Sequence, residues 1–78
     1  MHVKVKLYGT LRRLSQKGSP GCWEGEIPFG MTAMDLVYFL GTTEKEIANA
    51  SINHIVCPLS QMLYDEDEII LVPNIGGG

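Results

Sequence analysis

The feature that most constrains the fold is a run of four aliphatic residues near the carboxyl end, from Ile69 to Val72. Three of the four are β-branched, and the run lies between an acidic stretch and Pro73, which is typical of a buried strand. Because proline has no N–H to donate, we expect strand pairing to end at Pro73. Residues 74–78 follow and finish in three glycines. A sheet must therefore surround the run, and the chain end must leave that sheet.

The glycine-rich end allows two interpretations. Chain ends are often disordered, so the glycines could be incidental. Alternatively the tail is the functional part, because a backbone without Cβ atoms can enter a slot that is too narrow for any side chain. Fully extended, residues 74–78 reach about 15–18 Å. That reach would bring the terminal carboxylate of Gly78 into the active site of a partner.

Four further segments predict the remaining strands. Residues 2–8 alternate between apolar and polar side chains, and so do residues 22–27, which predicts a hairpin. Residues 47–52 and 55–57 predict two short strands. We expect an α+β fold with a mixed sheet of four or five strands and one main helix on one face. The last strand should be central and parallel to the first.

Two segments predict helix. Thr32 to Asp35 resembles a capping box, and the apolar residues that follow lie at helical spacing up to Gly41, a suitable residue for the end of a helix. A shorter segment over 10–15 predicts one or two turns, with Thr10 as the N-cap.

Size and charge limit the possible functions. A chain of 78 residues forms one domain, with hardly room for an enclosed catalytic pocket. The net charge of −3 and the lack of a basic stripe disfavour nucleic-acid binding. No apolar run approaches the length of a membrane span, and no signal peptide opens the chain, so we expect a cytoplasmic protein. Arg12 and Arg13 either aid solubility or contact an acidic partner.

The possible metal ligands do not form a recognisable pattern. Cys22 and Cys57 lack the spacing of a metal or redox motif, and His2 and His54 lie at unrelated positions. The acidic residues 65–68 lack the ligand spacing of a calcium loop. We therefore expect no metal site and two reduced thiols, whose roles stay open.

The whole pattern, ending in Gly77-Gly78, resembles the ubiquitin-like β-grasp sulfur carriers. The molybdopterin synthase small subunit and the thiamine-pathway sulfur carrier are the two best-known branches. The closing motif of the family is matched here by Asp65, Asp67, Glu68, Ile69, Leu71, Val72, Pro73, Ile75, Gly77 and Gly78. Gly76 takes a place usually held by serine or alanine. Glu66 stands where a turn glycine is usual, and Asn74 where a second proline is usual.

The resemblance implies a β-grasp domain over residues 1–73 and a flexible tail over 74–78. It implies an E1-like adenylyltransferase that uses ATP and magnesium to adenylate the carboxylate of Gly78. A sulfur donor such as a cysteine desulfurase or rhodanese would then give a thiocarboxylate, and a synthase subunit would accept the sulfur. The residues entering the partner's active site would be Ile75, Gly76, Gly77 and Gly78. The carrier itself would bind no cofactor and would be a co-substrate rather than an enzyme.

The pathway and the docking surface are separate questions. Residues 7–13 resemble the helix-forming segment of the molybdopterin-synthase branch, which favours molybdenum or tungsten cofactor biosynthesis over thiazole synthesis for thiamine. The alternatives are a ubiquitin-like protein modifier and a non-enzymatic β-grasp interaction module. We expect a partner to dock on an exposed apolar patch of the sheet. The candidates are Tyr8, Phe29, Tyr64 and Ile75.

Overall fold

The apolar run forms β5 (Glu68–Pro73), the central strand of a five-stranded sheet in the computed structural model, which describes residues 1–74. The other elements are β1 (His2–Leu7), β2 (Cys22–Glu26), helix α1 (Ala33–Leu40), β3 (Ile47–Ile52) and β4 (Ile55–Cys57). The strand order is β2-β1-β5-β3-β4, and β5 is parallel to β1 and antiparallel to β3. The expected α+β fold, with a central last strand parallel to the first, is confirmed.

The core lies between the sheet and α1. From β5, Ile69 and Leu71 are fully buried, whereas Ile70 is half-buried and Val72 is more than a third exposed. The apolar run is therefore buried on one face only, although its composition suggested burial throughout. The core side chains from the other main elements are Val3, Val5 and Leu7 of β1, Ala50 of β3, and Ala33, Leu36 and Val37 of α1.

Both ends of α1 follow the sequence prediction. The side chain of Thr32 accepts a hydrogen bond from the Asp35 N–H at 3.2 Å, and the Asp35 carboxylate accepts one from the Thr32 N–H at 3.0 Å. This reciprocal pair is the predicted capping box. Gly41 ends the helix in the left-handed conformation with φ 103°, which an L side chain rarely adopts.

The segment after β1 differs from its prediction. Gly9–Leu14 forms a 3-10 turn that begins after Tyr8, and no side chain caps it. The predicted N-cap at Thr10 is therefore wrong. Gly9, at φ 54°, turns the chain directly out of the strand, and Leu11 then becomes completely buried. Burial of one leucine, rather than a cap, accounts for this turn.

The turns between strands depend on residues that tolerate positive φ. Asn53 and His54 connect β3 to β4 with φ of 51° and 72°. Glu66 has φ 68°, at the position where glycine is usual. Its N–H donates to the carbonyl of His2 at 2.7 Å, which ties the turn before β5 to the start of β1.

Two features are absent from residues 1–74: a helix that could cross a membrane and a cluster of metal ligands. No helix in that range is long and apolar enough to cross a membrane. Within the same range, no group of three or more His, Cys, Asp or Glu side chains lies close enough together to hold a metal ion.

We expect Ile69→Ala to lower the free energy of unfolding by about 2–5 kcal/mol, because it leaves a cavity in a fully buried site. Ile70→Ala is the matched control, since it removes the same atoms from the next residue, on the open face of β5. Its loss should stay below about 1.5 kcal/mol. Urea unfolding measures both variants, and equal losses would contradict this assignment of faces.

Candidate functional site at the exit of the carboxyl-terminal tail

The end of the sheet at which β5 finishes is built around Pro73. Because β1 and β5 are parallel, Leu7 and Leu71 lie side by side and both strands finish at the same end. We call this region, defined by Leu7, Tyr8, Pro73 and Asn74, the tail end. Gly9 packs against the proline ring so closely that a Cβ atom on it would lie 2.8 Å from Pro73 Cγ. The positive φ of Gly9 and this contact together require glycine there.

We call the point at which the chain leaves β5 the exit. On the side of the exit away from Gly9, Asn74 is hydrogen bonded to the body of the protein. Its backbone N–H donates to the carbonyl of Glu46 at 2.8 Å. Its side-chain amide donates to the carbonyl of Lys45 at 2.7 Å and to that of Ile47 at 3.3 Å. Strand pairing ends at Pro73, as the sequence predicted, and Asn74 adds hydrogen bonds just beyond it. Asn74, which the sequence placed in the tail, is anchored to the short 3-10 turn Glu44–Glu46.

The turn that holds Asn74 is itself held by an ion pair. Arg13 lies with Nη2 2.5 Å from Glu46 Oε1, and its Nη1 donates to the carbonyl of Thr10 at 2.9 Å. The hydroxyl of Thr42 also donates to the Glu46 carboxylate. These hydrogen bonds, that of Arg13 first, lower the pKa of Glu46. Arg13 thus connects the turn after β1 to the turn that anchors Asn74.

The sequence-predicted site residues do not all lie at this exit. Ile75, Gly76, Gly77 and Gly78 fall outside the described residues. Tyr8 lies at the tail end and is 49% exposed. Phe29 and Tyr64 are also exposed but belong to the other end of the sheet, because Phe29 follows β2 where it pairs with His2, and Tyr64 precedes β5. The structure does not bring them together with Tyr8.

The open face of the sheet carries apolar residues that sequence reasoning missed. Ile70 is flanked by Lys6 of β1 and Ser51 of β3, and Ser51 is in turn paired with Val56 of β4. Val56 is 72% exposed, and Val72 lies two residues beyond Ile70 on the same face. The alternation within β5 could have revealed these residues, had one face of the run been assigned to solvent.

Charge divides the sheet into two ends. The acidic end, defined by Glu24, Glu26 and residues 65–68, surrounds the start of β1. There, Lys4 is the one lysine among six carboxylates. At the tail end, the cationic side chains are Lys6, Arg12, Arg13 and Lys45, against Glu44 and Glu46. The described part of the chain is therefore cationic where the tail leaves it and anionic at the opposite end.

The fold is that of ubiquitin-like β-grasp proteins. No family model matches the chain, and none of the curated proteins matches it. Among solved structures it is similar to the crystal structure of SAMP1 from Haloferax volcanii, with 22% identity, all of both chains covered and a TM-score of 0.68. It is also similar to the crystal structure of the small archaeal modifier protein 1 of Haloferax volcanii, with 20% identity, 95% of this chain and 98% of that chain covered, and a TM-score of 0.71.

Asn74→Ala removes both side-chain hydrogen bonds of the exit and leaves its backbone N–H in place. We expect a loss of about 1 kcal/mol in the free energy of unfolding and faster hydrogen exchange at the amide of residue 74. Asn49→Ala is the matched control, because Asn49 is exposed on β3, and it should change stability by less than about 0.5 kcal/mol. Unchanged exchange at residue 74 would show that the side chain does not anchor the exit.

The acidic end makes stability depend on pH through His2. Its Nε2 lies 2.6 Å from Glu24 Oε2, and this hydrogen bond is the main reason why the pKa of His2 is raised and that of Glu24 is lowered. A raised histidine pKa stabilises the fold below the unfolded value of 6.5 and loses that effect as pH rises through the folded value. A lowered carboxylate pKa stabilises it above 4.5.

We therefore expect wild type to exceed His2→Gln in melting temperature most clearly between about pH 5 and 6, with the excess disappearing by about pH 8. Thermal unfolding at several pH values measures the difference. If the difference in melting temperature were the same at about pH 5 and about pH 8, the ion pair of His2 with Glu24 would not contribute to stability.

Proposed function

We propose that this protein is a ubiquitin-like carrier whose carboxyl-terminal glycine, Gly78, is activated by a partner enzyme and then carries sulfur. The observation that supports this most directly is the anchored exit. The chain leaves a central strand at a rim where Gly9 packs on one side of Pro73 and a hydrogen-bonded turn holds Asn74 on the other. Three glycines, residues 76–78, begin two positions after Asn74.

The proposed chemistry uses only the terminal carboxylate of the chain. At pH 7 this group is ionised and is a poor electrophile. Attack of a carboxylate oxygen on the α-phosphorus of ATP would release pyrophosphate and leave an acyl adenylate. A persulfide anion on the sulfur donor would then displace AMP, and cleavage of the resulting acyl disulfide by a thiol would leave the thiocarboxylate. Adenylation, magnesium binding and sulfur delivery thus belong to partners, and this chain acts as co-substrate.

The partners follow from these steps. They are an E1-like adenylyltransferase with ATP and magnesium, a sulfur donor such as a cysteine desulfurase or rhodanese, and a synthase subunit that accepts the sulfur. ATP and reducing thiols coexist in the cytoplasm, where we place the reaction. We retain molybdopterin biosynthesis as the proposed pathway, on the resemblance of residues 7–13, with thiazole synthesis as its alternative.

The proposed docking surface includes the apolar residues beside the exit. Tyr8 is the sequence candidate at the tail end, and Ile70 and Val72 extend from it along the open face of β5. Polar contacts alone rarely hold a transient complex, so this apolar strip is the part of the sheet that we expect a partner to cover. Phe29 and Tyr64, at the acidic end, would serve a second contact or a second partner. Ile75, the remaining candidate, begins the tail itself.

Conjugation to proteins is a second candidate function, favoured by the structural similarity of the chain to the small archaeal modifier protein 1. It shares the adenylation step with sulfur carriage. It differs afterwards, because a lysine amine of a target would take the acyl group and form an isopeptide bond.

We expect incubation with an E1-like adenylating enzyme, ATP, magnesium and a persulfide donor to exchange one terminal oxygen for sulfur, as measured by intact mass. Deletion of Gly77 and Gly78 is the control. It removes the two terminal glycines that the proposed chemistry requires and leaves every hydrogen bond of residues 1–74 in place. That variant should unfold like wild type and show no exchange.

The outcomes separate the candidates. Exchange in wild type alone supports sulfur carriage, and branched lysine peptides from cells that express the chain support conjugation. Neither product in wild type, with a functional enzyme, would leave a β-grasp interaction module whose glycines are incidental.

A further inference from the structure

A groove of about 350 Å³ lies at the tail end, between the end of β1 and the loop that leads into β2. Its lining includes Lys6, Tyr8, Arg12, Gly21 and Cys22. Lys6 and Cys22 are directly paired across β1 and β2, so both project from the open face of the sheet. The groove is thus continuous with the apolar strip of β5, because Lys6 is also paired with Ile70.

Within residues 1–74, the two cations of the groove form no salt bridge. Among the salt bridges within residues 1–74, none involves Lys6 or Arg12, whereas neighbouring Arg13 is paired with Glu46. Arg12 lies over Gly21, where an added Cβ would be 3.6 Å from its Nε. Gly21 has φ 74°, so a side chain there would be strained, although an added Cβ would make only ordinary contacts. The Arg12 side chain thus lies beside Gly21, and both residues line the groove.

The position of the groove relates it to the exit. Tyr8 lines the groove, and the next residue, Gly9, packs against Pro73 at the end of β5. A partner that binds the residues after Asn74 must therefore come close to the groove. The carboxylates concentrated at the other end of the sheet would orient the molecule with its cationic end towards an acidic surface.

We propose that this groove, which we call the basic groove, binds carboxylate side chains on the surface that surrounds the active site of the activating enzyme. The inference rests on the proposed function and adds the charge of the partner surface to it. Lys6 supplies a point charge, and Arg12 supplies a planar donor group that fits a carboxylate with two parallel hydrogen bonds. Tyr8, which also lines the groove, adds an apolar ring and a hydroxyl that can hydrogen bond.

The charge of the whole chain favours an acidic protein over a nucleic acid as the occupant. Nucleic-acid binding requires a basic stripe that neutralises several phosphates. Here the groove offers two cations on a chain of net charge −3, with six carboxylates along the far end of the same sheet. A few carboxylates on a folded partner match the groove, and a long polyanion would meet repulsion beyond it.

The first test needs no activating enzyme. The full chain, labelled with ¹⁵N, is titrated at low salt with hexaglutamate and, separately, with hexathymidylate. We expect hexaglutamate to shift the amide signals of residues around the basic groove, from Lys6 to Arg12 and from Gly21 to Cys22, and hexathymidylate to do so less. Absent shifts, or shifts that spread equally to Lys4 and Lys17, would overturn the proposal. Stronger shifts with hexathymidylate would overturn the choice of an acidic protein.

The second test compares two double variants of equal net charge. Lys6→Gln with Arg12→Gln removes the cations of the groove, and Lys4→Gln with Lys17→Gln removes two exposed cations outside it. Stopped-flow association with the E1-like adenylating enzyme should slow by about fivefold or more for the first pair at low salt, with less salt dependence. The second pair should stay within about twofold of wild type.

Equal effects of the two pairs, or no effect of either, would overturn the role of the groove. The tests also distinguish this proposal from the proposed function. Localised hexaglutamate binding without any adenylation of Gly78 would remove the proposed carrier function and leave an acidic-peptide groove. Adenylation with equal rates for both double variants would keep the carrier and remove the groove from docking.

Discussion

The parallel pairing of β1 with β5 is the interaction on which the rest of the structure depends. It sets Val5 beside Ile69 and Leu7 beside Leu71, all buried against α1, and so forms the centre of the core. Parallel strands finish at the same end of a sheet, and this pairing therefore places the exit of the chain beside Tyr8 and Gly9. The same register places the start of both strands together at the other end, where the carboxylates collect. Core, exit and charge distribution thus follow from one pairing.

The exit shows how ordinary structural interactions fix the point at which the chain leaves the sheet. Gly9 permits close packing against Pro73, and the amide of Asn74 bonds to two carbonyls of the Glu44–Glu46 turn and its neighbour. Where a second proline would stiffen this point by restricting φ, asparagine restricts it by hydrogen bonds to a turn that Arg13 holds in place. The proposed chemistry requires only that the anchored point and the groove beside it face the same partner, and their shared position at the tail end meets that requirement.

Local sequence rules predicted the elements well where the local interactions are strong. The capping box at Thr32 and Asp35 and the helix end at Gly41 formed as expected, because their hydrogen bonds and backbone conformations involve near neighbours. The turn after β1 was assigned the wrong N-cap, since burial of Leu11 in the core, a long-range effect, decides its conformation. The docking candidates were chosen by residue type, and only the register shows that Tyr8 lies apart from Phe29 and Tyr64.

The sequence by itself determined the class of fold, the central last strand and the presence of a glycine-rich end after Pro73. Alternation, caps, proline and glycine act over a few residues and can therefore be recognised in the sequence alone. Only the tertiary structure decided which face of β5 is open, that Asn74 belongs to the body, and that Lys6 and Arg12 share a groove while Arg13 is paired. Each of these depends on strands distant in sequence that the sheet places side by side. The ion pairs and hydrogen bonds that a charged or amide side chain makes there depend on its neighbours in space, which the order of residues does not specify.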